Sequence, residues 1–144
     1  MSPLMAGVRR IFLDSAPVIY FVEQHPVYHS LLQPIFNRFE TGEMVAVTSP
    51  VTLAECLIFP MKLGNTEAID AFLELLGGEH DTVLITLTRE TARLAAEIRS
   101  RYNVTLTDAF QVASAIEGAC DIMLTNDKAL TRVSETRIQL VEDL

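Results

Sequence analysis

The chain has 144 residues, enough to bury a real hydrophobic core, and we expect one domain over residues 1–144. Its 11 Lys and Arg residues against 19 Asp and Glu residues give a net charge of −8, which excludes attraction of a nucleic acid by overall charge. Hydrophobic residues make up 49% of the sequence and the mean hydropathy is +0.28, values that favour an apolar surface covered by another chain.

Short β-rich segments alternate with segments of helical period along the chain. The predicted strands are 9–13, 45–49, 83–87, 121–125 and 138–141, and the predicted helices are 16–23, 28–41, 50–63, 66–77, 89–102 and 107–118. Pro60 falls inside the third helix and is expected to kink it or end it early. This alternation predicts an α/β fold in which helices cover both faces of a parallel sheet of about five short strands.

Two acids in the first half of the chain lie where folding alone would not place them. Asp14 follows the apolar residues 11–13, at the carboxyl end of the first strand, where open α/β sheets bind their ligands. Asp14 or Ser15 can instead cap the helix that begins near Pro17. Glu55 has apolar residues at three of the four helical positions nearest to it, so a solvated position fits it poorly, and a partly buried, paired glutamate is the alternative.

Two further acids lie in the second half. Asp108 opens the sixth predicted helix, with Thr107 available as its N-cap, although first-turn aspartates are common because they favour the helix dipole. Asp127 lies just past the carboxyl end of the fourth strand, where Thr125 and Asn126 offer further oxygen ligands or hydrogen bonds. A turn or capping role is the alternative for Asp127.

Together the four acids predict a metal site. A buried carboxylate must be protonated, paired or bound to a metal, and four of them exceed the local supply of Lys and Arg. Carboxylate oxygens favour Mg²⁺ or Mn²⁺, and such an ion can acidify a water and neutralise charge on a phosphate. The sequence therefore predicts hydrolysis of a phosphodiester.

Cysteine and histidine usage argues against other metals and against export. Cys56 and Cys120 lie in apolar contexts without metal-binding spacing, so we expect reduced core thiols, and His25, His29 and His80 are too scattered for zinc. The N-terminus lacks the apolar core of a signal peptide, and no run of about 18 apolar residues occurs. We therefore expect a cytoplasmic protein that does not enter a membrane.

Four segments of the chain carry a resemblance to a known family. They are IFLDSAPVIYFVE (11–23), TSPVTLAECL (48–57), VTLTDAFQVASA (104–115) and LTNDKAL (124–130). Through these segments the chain resembles the PIN domain over roughly residues 10–142, and among PIN domains it is similar to the VapC-type toxins of prokaryotic toxin–antitoxin pairs. One departure is Thr105, where many relatives have proline before the third acid.

The resemblance implies a three-layer α/β/α sandwich and a metal site formed by Asp14, Glu55, Asp108 and Asp127. The implied activity is that of a Mg²⁺- or Mn²⁺-dependent endoribonuclease acting on RNA. The implied partners are a VapB-like antitoxin, which covers an apolar groove, and a second copy of the chain.

Five other residues are assigned supporting or substrate-binding roles. The resemblance implies that Thr125, Ser15 and Asn126 hydrogen-bond the acids or metal-bound water. Lys128 and Arg132 follow Asp127 in sequence and are the nearest candidates to bind an RNA phosphate, with a solvated helix as the alternative.

Two other functions compete with the nuclease. The first is a PIN-like RNA-binding or scaffold protein that keeps the acids without efficient turnover. The second is a phosphatase of the haloacid dehalogenase type, which would need a second aspartate two residues after Asp14, where this chain has Ala16. That difference ranks the phosphatase well below the others.

Overall fold

The computed structural model describes residues 5–78 and 82–144, so His80 lies outside the described part. The strands are β1 (Arg10–Leu13), β2 (Val45–Thr48), β3 (Thr82–Leu84), β4 (Ile122–Thr125) and β5 (Ile138–Leu140). The helices are α1 (Ser15–Val22), α2 (His29–Glu40), α3 (Pro50–Leu63), α4 (Thr66–Leu76), α5 (Arg89–Arg101) and α6 (Leu106–Glu117). Short 3-10 segments follow at Lys128–Arg132 and Val141–Asp143. In the described ranges, no helix combines the length and apolarity needed to cross a membrane.

The sheet is built outward from its central strand. Its five strands are all parallel, in the order β3-β2-β1-β4-β5. After β1 the chain adds β2 and β3 on one side and then crosses over to add β4 and β5 on the other. Ligands of open α/β sheets bind at such a change of direction, beyond the carboxyl ends of the strands. The carboxyl ends of β1 and β4 are adjacent and define this edge.

Two hydrophobic cores hold the helices against the sheet. Leu13 faces the core that α1 to α4 complete, which includes Ile35 and Phe72. Phe12 faces the opposite core, where it packs with residues of α5 and α6 such as Val112. Consecutive strand residues point to opposite faces, so the apolar run of β1 is buried on both sides.

The predicted α/β/α sandwich with five parallel strands is confirmed, and most helix bounds agree with the sequence prediction. The early end expected at Pro60 is wrong, because α3 continues to Leu63 and ends at Gly64 in the left-handed conformation, with φ 64°. Pro60 removes one helical hydrogen bond but is itself buried, and its carbonyl accepts a bond from Asn65 N at 2.9 Å. β3 is shorter than expected and ends at Leu84.

Candidate active site

The four acids singled out by the sequence lie at or near the carboxyl edge of the sheet. Asp14 follows β1 and caps α1, where its Oδ1 accepts a hydrogen bond from Ser15 N at 2.9 Å. Asp127 follows β4 and caps the 3-10 segment after it, so both acids also serve the capping role that was the alternative. Asp108 lies in the first turn of α6, and Glu55 lies in the second turn of α3.

Asp14 is held by donors from three parts of the chain. It is 7% exposed, and Thr125 Oγ1 donates to its Oδ2 at 2.7 Å. Gln111 Nε2 donates to its Oδ1 at 3.3 Å, in addition to the bond from Ser15 N. A carboxylate has about four lone-pair sites, so these donors fix its orientation and leave room for one more ligand.

Asp108 is electrostatically linked to two other acids. The pKa of Asp108 is raised to about 6, mainly by burial and then by a hydrogen bond to Asp127, the charge of Asp127 and the charge of Asp14, in that order. A hydrogen bond from Thr105 acts in the opposite direction. The side chains of Asp108 and Asp127 are therefore close enough to share one proton.

Glu55 completes the acidic group from the side of α3. Burial is the main cause that raises its pKa, and the charge of Asp14 is the second, whereas a hydrogen bond from the Ser15 side chain lowers it. Asp14 thus influences both Glu55 and Asp108, and Asp108 is linked in turn to Asp127. The structure brings all four acids into one electrostatic group.

The predicted supporting residues differ in what they contact. Thr125 Oγ1 donates to Asp14 and accepts from Asp127 N at 3.1 Å, so it ties two of the acids together. Asn126 turns to other partners: its Nδ2 donates to Tyr20 Oη at 3.5 Å, and its Oδ1 accepts from the main chain of the C-terminal 3-10 segment. A direct bond from Asn126 to the acids is not seen among the described contacts.

The start of α6 corrects one expectation. Its N-cap is Thr105 and not Thr107, and the Thr105 hydroxyl accepts a hydrogen bond from Asp108 N at 3.1 Å. The φ of Thr105 is −69°, within the range that proline adopts. Thr105 therefore has a φ that a proline could also adopt, and its hydroxyl adds a cap.

One set of buried polar residues beneath the acids was missed by the sequence reasoning. Gln111 is fully buried and contacts Ser49, Thr52 and Asp14. A signal was present, because an amide three residues after Asp108 interrupts the apolar inner face of α6.

The two predicted phosphate-binding residues lie in the 3-10 segment that Asp127 caps. Lys128 Nζ is 3.3 Å from Glu142 Oε1, and its side chain is 75% exposed. Arg132 is exposed at the end of the same segment. Arg38, Arg93 and Arg101 form ion pairs with glutamates outside the acidic group.

The donor set suits a hard cation that keeps part of its water shell. Across residues 5–78 and 82–144, no three His, Cys, Asp or Glu side chains are arranged to ligate one ion directly. Mg²⁺ usually binds through one or two carboxylates and retains several waters, so an acidic group of this kind fits it. The two described histidines have other partners, since His25 accepts backbone bonds and His29 stacks on Phe21 at a centroid distance of 5.0 Å.

Comparison with known proteins agrees with this geometry. The PIN domain family model matches residues 11–136. Among solved structures, the chain is similar to VapBC2 from Rickettsia felis bound to a promoter DNA fragment, with a TM-score of 0.71, 15% identity and coverage of 91% of this chain and 98% of that one. The chain is also similar to VapBC-1 from nontypeable Haemophilus influenzae, with a TM-score of 0.69, 15% identity and coverage of 92% of this chain and 98% of that one.

A third similar structure is that of a nuclease with a stated target. Mycobacterium tuberculosis VapC20, described as a sarcin-ricin loop cleaving toxin, matches with a TM-score of 0.66 and 16% identity, over 88% of this chain and 98% of that one. At these identities the likeness is one of fold. No curated protein matches the chain in sequence.

Proposed function

This chain belongs to the PIN domain family, and from this premise we propose that residues 1–144 form a single-domain, Mg²⁺- or Mn²⁺-dependent endoribonuclease that hydrolyses RNA phosphodiester bonds. The observation that carries the proposal is the acidic group itself, in which burial and neighbouring charge raise the pKa values of Asp108 and Glu55. Such a group is unfavourable without a counter-ion, and it lies at the sheet edge where α/β proteins bind ligands.

Asp14, Asp108, Asp127 and Glu55 would hold the ion, directly or through water. When bound, the ion supplies positive charge that offsets the charge of the scissile phosphate and acidifies the attacking water. The hard oxygen donors of these side chains match Mg²⁺ or Mn²⁺ better than zinc.

The chain's own side chains orient the reactants and handle the proton. Thr125 keeps the Asp14 carboxylate in one orientation through its 2.7 Å bond, and the Ser15 side chain does the same for Glu55. Asp108, which interacts directly with Asp127, is a carboxylate placed to receive a proton from the attacking water.

RNA is the substrate class that we propose. Membership of the PIN domain family supports RNA as the substrate. The similar structure of VapC20 is that of a toxin described as cleaving the sarcin-ricin loop. Because the net charge of −8 repels polyanions, Lys128 and Arg132 are proposed to bind phosphates locally beside the acids. In this role Lys128 exchanges its exposed Glu142 partner for a phosphate.

We further propose that the chain is the cytoplasmic toxin of a VapBC-type pair, with a VapB-like antitoxin and a second copy of itself as partners. Several similar structures are toxin–antitoxin complexes. The second half of α3 exposes large apolar side chains that a partner can cover, which are Ile58, Phe59, Met61 and Leu63.

Cleavage of structured RNAs by the purified chain tests the nuclease. We expect cleavage with Mg²⁺ or Mn²⁺, none with EDTA, and a loss of at least about 100-fold in Asp14→Asn and Asp127→Asn. Asp70→Asn is the matched control, because Asp70 is exposed on α4 away from the acidic group, and it should cleave as the wild type does.

The alternative makes a different prediction in the same assay. A scaffold protein that keeps the acids for stability alone would show no metal-dependent difference between the wild type and Asp14→Asn. Cleavage that survives in EDTA would contradict the metal-dependent mechanism.

A further inference from the structure

Gln111 forms the centre of a buried polar network beneath the acidic group. It is 0% exposed, and Ser49 Oγ donates to its Oε1 at 2.5 Å. Its Nε2 donates to Thr52 Oγ1 at 2.6 Å and to Asp14 Oδ1 at 3.3 Å. All three contacts join parts of the chain that are distant in sequence, so they form only in the folded protein.

The two hydroxyls fix which way the Gln111 amide points. Ser49 Oγ accepts from Val51 N and Thr52 N at 3.1 and 3.3 Å, which leaves its hydrogen for Gln111 Oε1. Thr52 Oγ1 gives its hydrogen to Leu13 O at 2.9 Å, so it must accept from Gln111 Nε2. A flipped amide would lose both partners, and its NH₂ group therefore stays directed at Asp14.

The same network reaches the helices that carry two other acids. Gln111 lies one turn after Asp108 on α6, and Thr52 lies one turn before Glu55 on α3. The bond between Gln111 and Thr52 therefore sets the spacing of these helices, while the bond to Asp14 relates them to the end of β1.

We propose that Gln111 is a positioning residue that orients Asp14 and fixes its spacing from Asp108 and Glu55 for binding of a divalent cation. This inference rests on the proposed metal-dependent function. Partners that hold metal ligands in place commonly affect metal affinity and activity about 10–100-fold when they are removed. A glutamine that only joined α6 to the sheet would affect stability and leave metal affinity unchanged.

Gln111→Met in the full chain tests this role, because methionine has a similar length and no hydrogen-bonding amide. Gln139→Met is the matched control: Gln139 is also buried, at 5% exposure, but its Nε2 donates to Leu140 O on β5. Thr52→Val is a second test variant, since it removes the acceptor for the Gln111 amide in case Gln111→Met does not fold.

The measurements are Mn²⁺ affinity by calorimetry on metal-free protein, and kcat and KM for RNA. We expect Gln111→Met to bind Mn²⁺ roughly 10-fold or more weakly and to lower kcat, with KM for RNA within about 2-fold of wild type. Thr52→Val should show a smaller loss of the same kind. Gln139→Met should bind Mn²⁺ as the wild type does even where it unfolds more easily.

The outcomes separate this inference from the proposed nuclease. Wild-type Mn²⁺ affinity in Gln111→Met or, if that variant does not fold, in Thr52→Val would overturn the positioning role alone. Weaker Mn²⁺ binding by the variants, together with a wild type that cleaves no RNA, would support the positioning role and refute the ribonuclease. A wild type that binds no Mn²⁺ would overturn both.

Discussion

Asp108→Asn should make the metal-free protein more stable while it removes the proposed function. Ionised Asp108 lies beside Asp127 and Asp14, and burial together with these neighbours raises its pKa from 3.8 to about 6. The folded state therefore binds this proton more tightly than the unfolded state. Its contribution to stability is present at low pH and is lost as the pH rises through about 6. An asparagine carries no charge and escapes this loss.

The expected gain follows from the size of the pKa shift. A rise from 3.8 to about 6 corresponds to about 3 kcal/mol at pH 7.5, and screening of this partly exposed group reduces it to roughly half. Loss of a negative charge from the first turn of α6 costs about 0.5 kcal/mol in the opposite direction. The net increase in unfolding free energy is about 1 kcal/mol, or a rise in Tm of roughly 3–5 °C.

Urea denaturation in EDTA at pH 7.5 and pH 4 measures this effect. The variant should be more stable at pH 7.5, and the difference should be much smaller at pH 4, where Asp108 of the folded wild type is protonated and carries no charge. Added Mn²⁺ should stabilise the wild type much more than the variant.

Glu67→Gln is the control for the helix dipole. Glu67 is an exposed first-turn acid on α4, and its removal should lower stability by about 0.5 kcal/mol. Equal or lower stability of Asp108→Asn in EDTA at pH 7.5 would refute the idea that the acids repel one another in the folded protein.

Three further predictions concern other parts of the fold. Thr125→Val removes the buried hydroxyl that donates to Asp14. The free energy of unfolding, measured by urea denaturation, should fall by about 1–3 kcal/mol, and the rate of RNA cleavage should fall roughly 10–100-fold. Unchanged cleavage would contradict the role assigned to Thr125. Phe59→Glu places a charge on the exposed face of α3, where Phe59 is 63% exposed. This face is proposed as a contact of the homodimer, so in analytical ultracentrifugation the variant should have the mass of a monomer and the wild type that of a dimer, without loss of stability; equal masses of the two proteins would contradict this contact. Cys56 is buried, and its pKa is raised to about 12. A thiol reagent at pH 8 should therefore label Cys56 only after urea is added. Rapid labelling of the native protein would contradict this burial.

The sequence was sufficient for the fold because its local signals agree with one another. The apolar runs before Asp14 and Asp127 are short and bounded by polar residues, and they form β1 and β4 with nearly the predicted bounds. The acids were identifiable for a related reason, since Glu55 interrupts an apolar helix and Asp14 ends a buried strand. A charge at such a position is recognisable without knowledge of its neighbours.

The supporting contacts were less predictable because they depend on partners distant in the chain. Gln111 is 62 residues from Ser49 and 97 from Asp14, and nothing in the local pattern specifies those distances in space. Asn126 was expected beside the acids for its oxygen, but its side chain instead reaches Tyr20 and the C-terminal segment. The end of α3 was also mispredicted, because it depends on the burial of Pro60 and on Gly64, and not on the presence of a proline alone.

The placement of β1 between β2 and β4 has a consequence for protein synthesis. Asp14 is synthesised before helices α1 to α6, whereas Asp127 and β4, which lies beside β1 in the sheet, are synthesised after them. A nascent polypeptide that stops before β4 carries no complete set of carboxylates. Under the proposed function, RNA cleavage therefore cannot begin until β4 and Asp127 have been synthesised.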